Sequence, residues 1–126
     1  MKTPILATAL FLVAGVCVAA ELSFEEAKAK ADQTENSLAA ESLKRLVEAQ
    51  GGLANSAFPY CFNNTQTPPP NFTVVVEIDT EGRVARSWVD QDTPWGLCFR
   101  ERMVKNFSFR PESQPFFTSF EYKNAP

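Results

Sequence analysis

The chain has 126 residues, room for one domain, and its 44% apolar content with eleven Phe is enough to build a core. A formal charge of −3 argues against a nucleic-acid surface. The sequence contains no His, which excludes His-based triads, the usual general base and most zinc sites.

The N-terminus reads as an export signal. Lys2 supplies a minimal positive region, residues 5–18 are apolar, and Val18-Ala19-Ala20 offers small residues for cleavage before Glu21. The apolar stretch is short for the roughly 20 residues that a spanning helix needs. Val16 before Cys17 is not the small residue a lipoprotein signal requires. The expectation is a signal peptide over residues 1–20 and a periplasmic protein, with membrane contact only if the signal is retained. Without Lys2 the exported part carries eleven Lys and Arg against fifteen Asp and Glu, a net charge of −4.

Residues 21–60 are predicted to form a helical arm. Ser23 and Glu26 fit a capping box, and Ala, Glu, Lys and Leu dominate as far as Gln50. Asn36-Ser37 is a candidate break, and Gly51-Gly52 is expected to end the helix. Ala39, Leu43, Leu46, Val47 and Gln50 mark an apolar stripe, which favours a helix packed on a sheet face over a free spacer or partner helix.

Two cysteines follow the signal, Cys61 and Cys98. An even pair in an oxidising compartment predicts a disulfide. It would close a loop of about 38 residues, for which the chain-entropy estimate is at most about 4 kcal/mol. Residues 61–71 form a linker containing Pro68-Pro69-Pro70. Asn63, Asn71 and Asn106 begin Asn-x-Ser/Thr triplets, read here as coincidental.

Residues 72–88 predict a β-hairpin. Val74, Val76 and Ile78 alternate with Thr73, Val75, Glu77 and Asp79, so one face is wholly apolar. Asp79-Thr80-Glu81-Gly82 carries turn chemistry. A second strand is expected over residues 83–89, with Val84 and Trp88 on one face. Arg86 between them implies either an edge position or a bulge. Thr93 or Asp92 then caps a helix beginning at Pro94, with Trp95, Phe99 and Met103 as its core stripe and Leu97 and Val104 beside them. Phe107-Ser108-Phe109 alternates like the start of a strand. A last strand follows, in which Phe116, Thr118, Phe120 and Tyr122 alternate with Phe117, Ser119 and Glu121. The expected core is Val74, Val76, Ile78, Trp88, Phe99, Met103, Phe107, Phe109 and Phe120.

The order strand, Gly-turn, strand, helix, Phe-x-Phe-Arg-Pro, strand resembles the C-terminal domain of TonB-type energy transducers. The matching pieces are residues 74–84, the helix around residues 97–104, and Phe107-Ser108-Phe109-Arg110-Pro111. The resemblance spans about residues 70–122. It implies an α+β fold, a small antiparallel sheet of ββαβ order over residues 72–126, here preceded by the helical arm. It also implies a non-enzymatic, metal-free and cofactor-free module of the cell envelope, linked to transport. Such a module pairs a strand edge with a protein partner, an outer-membrane receptor. The cleavable signal, the short Pro run, the arm and the disulfide depart from that family, and favour a binding module over a force-transmitting transducer. An anchored transducer stays open if the signal is retained, as does a small disulfide-linked periplasmic inhibitor or immunity-type protein.

Enzyme chemistry has little support. Asp90 with Asp92, and Glu77 with Asp79, are paired acids, but no nucleophile with a base, phosphate loop or Cys/His cluster accompanies them. The candidate site is the closing strand itself, Phe116, Phe117, Thr118, Ser119, Phe120, Glu121 and Tyr122. A last strand tends to lie at a sheet edge, and this one holds a single charge, Glu121. The rival cover for that edge is the chain's own arm.

Overall fold

A computed structural model describes residues 21–63 and 67–124. The expected export signal lies outside the described residues. Six elements follow in order: α1 (Phe24–Asn36), α2 (Ala40–Cys61), β1 (Phe72–Ile78), β2 (Val84–Val89), α3 (Pro94–Asn106) and β3 (Phe116–Tyr122). The three strands form one antiparallel sheet in the order β2-β1-β3.

Both sheet faces are covered, which explains why Val74, Val75 and Val76 are all fully buried. On one face, Val74, Val76 and Ile78 meet Leu46, Leu53 and Ala57 of α2 and Phe99 and Met103 of α3. Phe107, Phe109 and Phe116 complete this larger core, and Phe120 packs against it half-buried. On the other face, Ala27 and Ala31 of α1 lie over Val75 and Phe117. Alanines at a four-residue spacing let a helix approach a sheet closely. The arm is therefore not an appendage: its second helix supplies part of the main core. Full burial of a side chain the size of Val or Phe contributes about 1.5–3 kcal/mol.

α1 begins at the expected capping box: the Glu26 amide donates to Ser23 Oγ at 3.1 Å, and the Ser23 amide to Glu26 Oε1 at 3.5 Å. It ends at Asn36, the expected break. α2 does not end at Gly51-Gly52 as expected. It runs on to Cys61, through Pro59. Leu53, Ala54 and Ala57 are buried beyond the glycines, and their packing outweighs the roughly 1 kcal/mol that each Gly costs a helix. The expected stripe is also rotated: Leu46 is buried, but Leu43 and Val47 are exposed, and Ser42 takes an inward position.

The β1–β2 hairpin turns as its residues dictate. Asp79 Oδ1 accepts from the amides of Glu81 at 2.9 Å and Arg83 at 3.0 Å. Gly82 has φ +88°, and a Cβ there would stand 3.0 Å from the Phe109 carbonyl oxygen. The Phe109 amide donates to the Gly82 carbonyl at 2.9 Å, fixing residues 107–109 beside the turn rather than in a strand. The register shifts after Glu77, which pairs with Arg86 while Ile78 pairs with Val84, leaving Ala85 extra. This bulge separates Val84 from Trp88, contrary to expectation. Val84 packs on the main core, whereas Trp88 joins Val75 and Phe117 under α1. The Trp88 indole N–H donates to the Leu22 carbonyl at 2.8 Å.

α3 starts as its sequence predicts, with Thr93 Oγ1 accepting from the Gly96 amide at 3.1 Å and Pro94 in the first turn. Phe99 and Met103 are fully buried. The Cys61–Cys98 disulfide joins the end of α2 to α3 across 5.7 Å between Cα atoms. Beside it the rings of Phe58, Phe62, Phe72, Phe99, Phe120 and Tyr122 pack together, with Phe99 and Phe120 centroids 4.4 Å apart.

Candidate partner-binding edge

β3 pairs with β1 along its whole length, from Phe72 opposite Tyr122 to Ile78 opposite Phe116. Its other side is a sheet edge. Phe116, Thr118, Phe120 and Tyr122 face α2 and α3, while Phe117, Ser119 and Glu121 face α1.

The middle of that edge is held by side chains. The Ser119 amide donates to Glu35 Oε1 at 3.0 Å, and the Ser119 carbonyl accepts from Gln50 Nε2 at 3.1 Å. Ser119 therefore points its backbone groups away from β1, and strand alternation gives Phe117 and Glu121 the same outward aim. Among the described residues, no hydrogen-bond partner meets the outward backbone groups of Phe117 or Glu121. The Thr118 hydroxyl, fully buried, donates to Glu35 Oε1 at 2.6 Å and accepts from Gln50 Nε2 at 2.9 Å. Glu35 at the end of α1 and Gln50 in α2 so form a clasp round the edge, and among the described residues no buried side-chain polar atom lacks a partner.

Charges hold α1 over the same strand. Lys28 lies 3.1 Å from Glu121 and also bonds Asp32. Burial pulls the Lys28 pKa down, but the hydrogen bonds to Asp32 and Glu121 outweigh it and leave the pKa raised. The Lys30 ammonium stands 5.8 Å from the Phe117 ring centroid. A groove of about 270 Å³ opens beside the start of β3, between Lys30, Gln33, Thr34 and Ser37 of the arm and Pro115 and Phe117.

Three of the four paired acids serve structure. Asp90 Oδ1 accepts from the Thr73 amide at 2.9 Å, Asp79 organises the turn, and Glu77 pairs with Arg86. Asn71 Oδ1 accepts from the Asn124 amide at 2.6 Å. Among the described residues no group of three His, Cys, Asp or Glu could hold a metal ion, and no helix is long and apolar enough to cross a membrane.

Sequence reasoning placed β3 residue for residue but missed Glu35 and missed Gln50 as a clasp. They lie 84 and 69 residues from Ser119, so no local signal links them to it. The chain matches no known family model, no curated protein and no solved structure in comparisons with each.

Proposed function

We propose that the protein is an exported, periplasmic binding module that takes an extended segment of a protein partner along the β3 edge. The finer fold reading belongs with it: residues 72–122 as a ββαβ unit like a TonB C-terminal domain, with the arm wrapped onto it. By that resemblance the partner is an outer-membrane receptor. The observation that carries the reading is the unfinished edge of β3. Its ladder ends on two long side chains at Ser119 and on no described partner at Phe117 and Glu121. An incoming strand would replace the Glu35 carboxylate and the Gln50 amide with backbone groups, and extend the ladder to both neighbours. The clasp then acts as a competitor that a correct partner displaces.

Competition gives the test. Extended peptides are selected by display against the purified protein, and their affinity is measured for wild type and Glu35→Ala. Removing the competitor tightens binding if peptides seat on this edge. Unchanged or weaker binding to Glu35→Ala contradicts the reading. Export is tested separately: the secreted protein should have the intact mass of a chain starting at Glu21, and a membrane-retained chain starting at Met1 would restore the anchored alternative.

A further inference from the structure

The opposite edge of the sheet, β2, has no clasp among the described residues. Arg86, Trp88 and Asp90 turn their backbone groups to β1, as the bond from the Asp90 amide to the Thr73 carbonyl at 3.2 Å shows. Ser87 and Val89 therefore present theirs to solvent, while Ala85 is the extra residue of the bulge. α3 lies against β2 and also reaches β1, and it runs antiparallel to β2. Gly96 sits beside Val89, while Val104 shares a groove with Val84 and Ala85. The outer face of α3 carries Leu97, Arg100, Glu101 and Val104 at helical spacing, flanking the open edge. Leu97 is 37% and Val104 46% exposed, large apolar side chains with little cover.

These two features share one centre. Ser87 on the open edge and the Arg100–Glu101 step in the middle of the Leu97-to-Val104 stripe line the same groove. We propose that this face binds a second copy of the chain, with a two-fold axis through Ser87 joining β2 to its equivalent in a continuous six-stranded antiparallel sheet.

The same axis serves both the strand and the helix. Ser87 pairs with Ser87 of the second copy. Leu97 of α3 meets Val104 of the second copy, and Arg100 meets its Glu101, twice by symmetry. On the α1 face Arg86 falls opposite Trp88 of the second copy, a cation over a ring. Within one chain Arg86 already stands 5.3 Å from the Trp88 centroid. Strands meet at about 4.8 Å and helices at about 8–10 Å, which a helix set back over β2 and β1 allows. A face whose apolar and charged groups complement themselves under a two-fold is what an isologous dimer needs. In the single chain Glu101 bonds Lys105 at 2.8 Å, while Arg100 has no ion-pair partner among the described residues. The interface uses the edge opposite β3 and stands whether or not β3 binds a partner.

Sedimentation equilibrium of the purified protein tests it. Wild type should show a monomer–dimer equilibrium reaching twice the chain mass. Arg100→Glu and Glu101→Arg each set like charges against each other twice, and each should weaken the dimer by about 100-fold or more. The double variant Arg100→Glu/Glu101→Arg restores opposite charges and should restore the dimer. Ser87→Pro, which removes the donor on the axis, should give a folded monomer by circular dichroism. Wild type that stays monomeric at every attainable concentration overturns the proposal. So do single reversals that dimerise like wild type, or a folded double variant that stays monomeric.

Discussion

Replacing Glu35 by Ala is the sharpest local perturbation of the clasp. The substitution removes the acceptor for two hydrogen bonds, from Thr118 Oγ1 at 2.6 Å and from the Ser119 amide at 3.0 Å. A hydrogen bond to a charged group contributes about 1.5–3 kcal/mol net when buried. Ser119 lies at a half-exposed edge where water can take the place of the carboxylate, so its bond belongs at the bottom of that range. The Thr118 hydroxyl is fully buried and loses its acceptor, a desolvation cost of about 1–3 kcal/mol. The expected loss is about 2.5–4.5 kcal/mol for Glu35→Ala. Glu35→Gln keeps an oxygen acceptor and loses only the charge, so about 1 kcal/mol is expected. Urea denaturation measures both, with an unchanged m-value as the sign that the fold is intact. Amide exchange at Ser119 should quicken in Glu35→Ala beyond what the global loss of stability explains. A loss below about 0.5 kcal/mol with unchanged Ser119 exchange would refute the clasp.

Phe99→Ala should destabilise by about 3–5 kcal/mol, because Phe99 is fully buried between α2 and the sheet; chemical denaturation checks it, and a loss below about 1 kcal/mol would place that face of α3 in solvent. Cys98→Ser should cost about 2–4 kcal/mol, and thiol counting on the unfolded, unreduced exported protein should find none free. Gly51→Ala should stabilise by about 0.5–1 kcal/mol in thermal denaturation, since the residue is inside α2 and nothing lies within 4 Å of a Cβ there.

Features set by neighbours in sequence were legible. The Ser23–Glu26 capping box, the Thr93-Pro94 helix start and the Asp79–Gly82 turn each fix a backbone through side chains two to four residues away. The limits of β3 followed from alternation, and the disulfide from the count of cysteines. Features set by distant packing were not. Gly51-Gly52 reads as a helix end until Leu53, Ala54 and Ala57 are seen against the sheet. Trp88 changes face because one extra residue, Ala85, sits in the bulge, and sequence can suggest a bulge at Arg86 without placing it. At the candidate site the strand was legible and its cover was not: Glu35 sits in a polar helix end, and Gln50 reads as the edge of an apolar stripe.

The most direct test of the binding account is residue-resolved amide exchange along β3, free and with a display-selected extended peptide. In the free protein Phe116, Thr118, Phe120 and Tyr122 should be protected by their pairing with β1. Phe117 and Glu121 should exchange fast, and Ser119, held by Glu35, at an intermediate rate. Adding the peptide should slow Phe117, Ser119 and Glu121 together and leave β2 unchanged. Phe117 and Glu121 already as protected as Thr118 in the free protein, or a bound peptide that slows none of the three, would contradict strand addition at this edge.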